Sequence, residues 1–102
     1  MRIMIFFDLP VVKKTDRKVY SKFRRFLLKD GYNMLQFSVY ARLCNGPDMA
    51  NKHIARLKDN IPLKGSIRCL VVTEKQYSEM KFLVGKPTVN ERKVHTEQLC
   101  LF

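Results

Sequence analysis

The chain has 102 residues, 46% of them hydrophobic and 11% aromatic, which allows one packed domain, leaves no room for a second and excludes a disordered chain. Twenty Lys and Arg against nine Asp and Glu give a formal net charge of +11. Self-repulsion on that scale is relieved by an anionic partner: nucleic acid, a membrane surface or an acidic protein.

Residues 2–8 read as a short apolar strand that ends on Asp8, and Leu9-Pro10 breaks it. Its run Ile3-Met4-Ile5-Phe6-Phe7 is too short to span a bilayer and lacks the cleavage region of a signal peptide. Thr15 or Asp16 can cap a helix that runs from Asp16 to Asp30. Val19, Tyr20, Phe23, Phe26 and Leu27 recur on one of its faces, and Gly31 ends it. From Asn33 to Leu43 the residues alternate as in one long half-buried strand. Asn45-Gly46-Pro47 is a turn into a second helix near residues 48–60, with Ala50, Ile54, Leu57 and Ile61 on its apolar side and Pro62 beyond it. Gly65 to Thr73 is a third strand, Glu74 to Met80 a helical turn, and Phe82-Leu83-Val84-Gly85 a short fourth strand. Lys86 to Glu97 is a polar linker, and Gln98 to Phe102 an apolar tail of strand character. A lone strand is unstable in water, so the tail adds to a sheet edge, its own or that of a second copy. These elements fit an α+β fold: a four-stranded antiparallel sheet of the ferredoxin-like βαββαβ type with two helices on one face. Residues 1–85 form the domain body, and 86–102 its linker and dimer-forming strand.

Chemistry is sparse. Cys44, Cys69 and Cys100 are odd in number and form no C-x-x-C pair, so they read as buried thiols in a reducing compartment, the cytoplasm. His53 and His95 are not spaced as ligands and read as solvent-facing. Asp16, Asp30, Asp48 and Asp59 sit at helix ends, where capping accounts for them. Asp8 either pairs with a nearby cation or ligates a metal. Magnesium usually takes one or two carboxylates with water and phosphate oxygens, so a site at Asp8 needs a second carboxylate, which a two-fold axis would supply. The stronger signal is a helix face of one sign. Lys18, Lys22, Arg25 and Lys29 follow i, i+4, i+7, i+11, with Arg17 and Arg24 beside them. Such a stripe can track a phosphate backbone without reading bases. A sequence-reading RNA recognition motif is excluded, because Lys64 to Cys69 carries no stacking aromatics.

Met1-Arg-Ile-Met-Ile-Phe-Phe-Asp8-Leu-Pro10, Asp16-Arg-Lys, Phe26-Leu-Leu-Lys-Asp-Gly31 and Met34-Leu-Gln-Phe-Ser-Val-Tyr-Ala-Arg42 together resemble the CRISPR-associated endoribonuclease family "Cas two", in its type II flavour. This is the small partner of the spacer integrase. The resemblance implies a ferredoxin-like homodimer whose C-terminal strand joins the neighbour's sheet. It implies that Asp8 is the catalytic and metal-binding aspartate, two copies holding one magnesium or another divalent ion such as manganese. Members are metal-dependent nucleases on single-stranded RNA or duplex DNA, and in the adaptation complex the dimer bridges the integrase and holds duplex DNA. On that reading Arg17, Lys18, Lys22, Arg24, Arg25 and Lys29 are the candidate nucleic-acid contacts, and no membrane is involved. A role as adaptor without catalysis is the alternative. VapD-type toxins, which cleave RNA as dimers, also resemble the family, but the strand motifs and the C-terminal extension favour CRISPR adaptation.

Overall fold

Residues 1–87 are described by the computed structural model; the predicted tail strand, Cys100, His95 and most of the linker lie outside them. The apolar run at the start forms β1 (Arg2–Asp8), with side chains alternating across the sheet. Ile3, Ile5 and Phe7 enter one core with Phe23 and Leu27 of α1 (Lys14–Lys29) and Ala50 and Leu57 of α2 (Pro47–Lys58), so both helices cover the same face. Full burial of each large apolar side chain in this core contributes about 1.5–3 kcal/mol. Phe7 is central to it, with its ring edge-on to Phe23 at 5.2 Å and stacked on Tyr40 at 5.6 Å.

The segment predicted as one strand from Asn33 to Leu43 is instead a hairpin. It divides into β2 (Asn33–Gln36) and β3 (Val39–Leu43), which pair antiparallel with Gln36 opposite Val39 and a register shift at Leu35. The two turn residues are Phe37 and Ser38, the latter at φ 65°. Alternation continues in phase across a two-residue turn, and this turn carries none of the usual Gly, Asn or Asp markers, so the fold-back leaves no trace in the periodicity. The hairpin supplies the strand that completes the sheet. The predicted strand at 82–85 does not form, and Leu83 and Val84 are almost fully exposed. With β4 (Ser66–Val72) and the short α3 (Glu74–Ser78), the order is βαββαβ followed by α3. The sheet runs β2-β3-β1-β4, antiparallel at every pair. The ferredoxin-like expectation therefore holds, with its strands drawn from different residues.

Local chemistry fixes the helix ends. Asp16 reaches back to accept the backbone N–H of Lys13 at 3.3 Å, so α1 begins two residues before the carboxylate that caps it. At the other end Gly31 N–H donates to Leu28 O and Tyr32 N–H to Leu27 O, a complete Schellman closure with Gly31 at φ 93°. The Arg42 guanidinium lies directly over Gly31, where a Cβ would collide with it. Val19, expected in the core, is nearly half exposed, and α1 instead buries Phe23 and Leu27.

His53 is the main departure inside the helices. It was expected to face solvent, yet it is buried, with Nδ1 3.2 Å from Oδ2 of Asp30. Arg56 Nη2 binds the other oxygen of Asp30 at 2.6 Å. Asp30 is thus no simple cap: a carboxylate at a helix C-terminus opposes the macrodipole, and two cation-capable side chains of α2 offset this. On β1, Arg2 is held by Glu74 of α3 through Nε at 3.0 Å and lies over the Tyr77 ring at 4.0 Å.

Tyr32 packs at the centre of the core, and its hydroxyl has no hydrogen-bond partner among the described residues. Burial, with the neighbouring Asp30 charge, pushes its ionisation well above that of a free tyrosine. Burial likewise raises the thiol of Cys44, whereas Cys69, expected to be buried, is exposed on β4. A raised pKa favours the protonated native state, so this stability is complete below the unfolded pKa values of about 9 to 10 and is lost as pH rises through the folded ones. Melting temperature is expected to fall steadily above pH 9. Tyr32→Phe should stay within about 1 kcal/mol of wild type at pH 7 and flatten that fall; an unchanged alkaline slope in thermal melts would assign the effect to other groups.

Candidate nucleic-acid and metal site

Asp8 is the last residue of β1, opposite Ser66 of β4, and its side chain is exposed. Its carboxylate makes no hydrogen bond or ion pair among the described residues, so nothing in the fold uses it. The neighbouring backbone is tightly placed. Gly65 stands against it at φ 99°, where a Cβ would come within 2.7 Å of Asp8 O and 2.6 Å of Leu9 Cδ2. Phe7 N–H donates to Ser38 O at 3.0 Å and ties the hairpin tip to the same end of the sheet. Among the described residues no three His, Cys, Asp or Glu side chains gather as a metal site. At this end of the sheet the described residues of one chain therefore offer a single unengaged carboxylate, Asp8. That suits a hard divalent cation only if water, phosphate oxygens and a second protomer's carboxylate complete the oxygen shell.

The six candidate cations all lie on α1. Lys18, Lys22, Arg25 and Lys29 are exposed and have no ion-pair partner among the described residues. Arg17 and Arg24 are partly committed: Arg17 Nη1 donates to Val12 O at 2.8 Å, and Arg24 Nε to Tyr40 Oη at 3.0 Å. Lys14, Arg17, Lys18, Ser21, Lys22, Arg24 and Arg25 line one shallow depression, from which Lys29 is absent. The stripe is thus an assembled surface at its N-terminal two-thirds. Since the loop after Asp8 leads straight into α1, that part begins at the Asp8 end of the sheet. Arg42, another conceivable phosphate contact, is half-buried over Gly31 and belongs to the fold.

Sequence reasoning missed the His53–Asp30–Arg56 cluster and the exposed ring of Phe37. The first had a signal: His53 is three residues after Ala50 and four before Leu57, on the apolar stripe itself. Among the described residues no helix is long and apolar enough to cross a membrane.

A family profile described as CRISPR associated protein Cas2 matches residues 1–80. A CRISPR-associated endoribonuclease Cas2 of Acidovorax ebreus (strain TPSY) is 59% identical over 102 residues, covering all of both chains. A protein of the same name from Campylobacter jejuni is 43% identical over all of this chain and 71% of its own length. In structure the chain is similar to Streptococcus pyogenes Cas2, solved as a crystal at pH 6.5, with a TM-score of 0.63. The sequence identity is 19%, and the match covers 82% of this chain and 100% of that one, a likeness of fold. A profile spanning most of the chain, together with near-full-length relatives, decides the matter: the chain belongs to the Cas2 family of CRISPR-associated proteins.

Proposed function

We propose that the protein is a cytoplasmic CRISPR spacer-acquisition factor, a homodimer that binds duplex DNA, bridges the integrase and carries metal-dependent endonuclease activity centred on Asp8. The observation that carries this reading is an exposed, unengaged carboxylate at the end of the central strand, next to a helix face of a single charge sign. The names of its relatives, CRISPR-associated endoribonucleases, support the activity and the biological setting. On this reading a two-fold axis between protomers would let Asp8 of each chain hold one magnesium or manganese ion. When bound, the ion supplies a nucleophilic water and neutralises charge on the phosphate. Asp8 orients that ion, and the α1 cations hold the backbone on either side of the scissile bond.

The test of catalysis is cleavage of labelled single-stranded RNA and labelled duplex DNA by wild type and Asp8→Asn, with magnesium and with EDTA. Cutting that needs metal and is lost in the variant supports the phosphodiesterase reading; equal cutting, or none with duplex binding intact, leaves a structural adaptor. The test of binding is salt dependence. Each phosphate-bound cation contributes roughly 0.9 to the slope of log K against log salt on B-form DNA. Replacing Lys18, Lys22, Arg25 and Lys29 with alanine is expected to lower that slope by up to about 3.6. An unchanged slope would move the duplex to another surface.

A further inference from the structure

We propose that Phe37 is a stacking platform for an unpaired nucleobase, which gives the Asp8 end of the sheet a subsite for single-stranded RNA; this rests on the nuclease reading of Asp8.

The ring is out of place for folding. Two-residue hairpin turns favour Gly, Asn and Asp, which tolerate positive φ or bond to their own backbone. Here the turn is Phe37-Ser38, and Ser38 carries the left-handed φ of 65° itself. Phe37 gives the turn no geometric advantage, and at 85% exposure it gives the core nothing. Among the described residues it is the one aromatic ring more than half exposed; Phe82 reaches 48%, and Tyr32 and Tyr40 are buried. A residue that breaks local rules without a packing return points to a functional constraint.

Its position gives that constraint a chemistry. Val39 lies opposite Phe6 in the β1–β3 ladder. The bond from Phe7 N–H to Ser38 O, 3.0 Å long, extends the contact one step beyond the ladder. The turn is thereby held level with the end of β1, one strand spacing of about 4.8 Å away. The same end of the sheet receives the start of α1, with Lys13, Lys14 and Arg17, and the start of β4, with Lys64. An exposed aromatic ring at the same end of a sheet as several cations is a composition suited to single strands: bases stack on the ring while the cations hold phosphates. A continuous duplex keeps its base faces stacked on each other and has none to offer the ring. The platform therefore favours an unpaired strand at Asp8, while the α1 stripe, which needs only phosphates, accepts a duplex.

The chain contains no tryptophan, so Phe37→Trp introduces a single fluorophore at the platform. Its emission is followed in EDTA, to prevent cutting, during titration with a mixed-sequence single-stranded RNA and with a relaxed circular DNA duplex, which has no ends. A saturable emission change with the single strand and none with the duplex is expected. Phe37→Ala should weaken single-strand binding about 5- to 150-fold, the range for loss of one stacked base. Its duplex affinity should remain within about twofold, and in cleavage assays KM should rise more than kcat falls. Single-strand binding that leaves the emission unchanged, or equal affinity in Phe37→Ala, overturns the platform but leaves the nuclease reading intact. Emission that follows protein concentration and ignores RNA makes the ring a protein contact and also overturns it. Absence of nucleic-acid binding by wild type would remove the functional reading and this inference together.

Discussion

Asp8→Asn is expected to lower metal-dependent cleavage by about 100-fold or more while leaving the melting temperature unchanged. The two halves of this expectation have separate causes. The amide is nearly isosteric, and the Asp8 side chain is exposed and makes no bond within the described fold, so stability should change by less than about 0.5 kcal/mol. Charge stabilisation by a bound metal ion is worth several kcal/mol, and each 1.36 kcal/mol is tenfold in rate. In the proposed dimer the variant would lose both carboxylates at once, leaving no wild-type ligand to hold the ion. Calorimetry or thermal melts beside the cleavage assay separate loss of chemistry from loss of fold. A variant that melts early would mean that Asp8 is structural, and one that cuts as well as wild type would remove Asp8 from the chemistry and leave the adaptor reading.

The largest effect on stability is expected at Asp30. Asp30→Ala removes one side chain and strands two: His53, buried beside it, and Arg56, whose side chain is 54% exposed. Breaking a buried charged pair costs 3–5 kcal/mol when the remaining partner is trapped. Here Arg56 can turn to water while the buried His53 ring loses its hydrogen-bond partner, so about 3 kcal/mol is expected. His53→Ala should cost about 2 kcal/mol, since the Asp30–Arg56 contact survives. Arg56→Ala should cost no more than about 1 kcal/mol, because that side chain is already half in solvent. The order Asp30, His53, Arg56 in urea melts checks the account. Equal costs for Asp30 and Arg56 would mean that the exposed ion pair, and not the buried histidine contact, holds α1 to α2.

Much of this architecture is legible in the sequence. The apolar face of α1 around Phe23 and Leu27, the Gly31 stop and the apolar run ending on Asp8 were all read from periodicity and turn chemistry. The hairpin was not, because periodicity of two residues persists through a two-residue turn and Phe37-Ser38 lacks the residues that mark one. The apparent strand at 82–85 misled for the converse reason: a short apolar run shows local preference but not whether a sheet has an edge to receive it. His53 misled through residue type, since its position on the Ala50–Leu57 stripe was the better guide. For the candidate site, the sequence placed Asp8 at a strand end and the cations on one helix, where the fold has them. Which cations were already bonded could not be read from it, because the partners of Arg17 and Arg24 are a loop carbonyl and a hydroxyl on a different strand.

Gly65 carries a consequence for how mutations in this protein are interpreted. It belongs to the approach to β4, far along the chain from Asp8, yet it holds its place only because it has no side chain, both for its backbone angle and for the space beside Asp8. Any other residue there must push the end of β1 and, with it, the carboxylate on which the proposed chemistry depends. A random-mutagenesis screen for lost cleavage would thus score position 65 alongside position 8, although glycine offers no atom to a metal or a phosphate. The shared phenotype would record a tolerance measured in tenths of an ångström, inherited by one segment from the function of another.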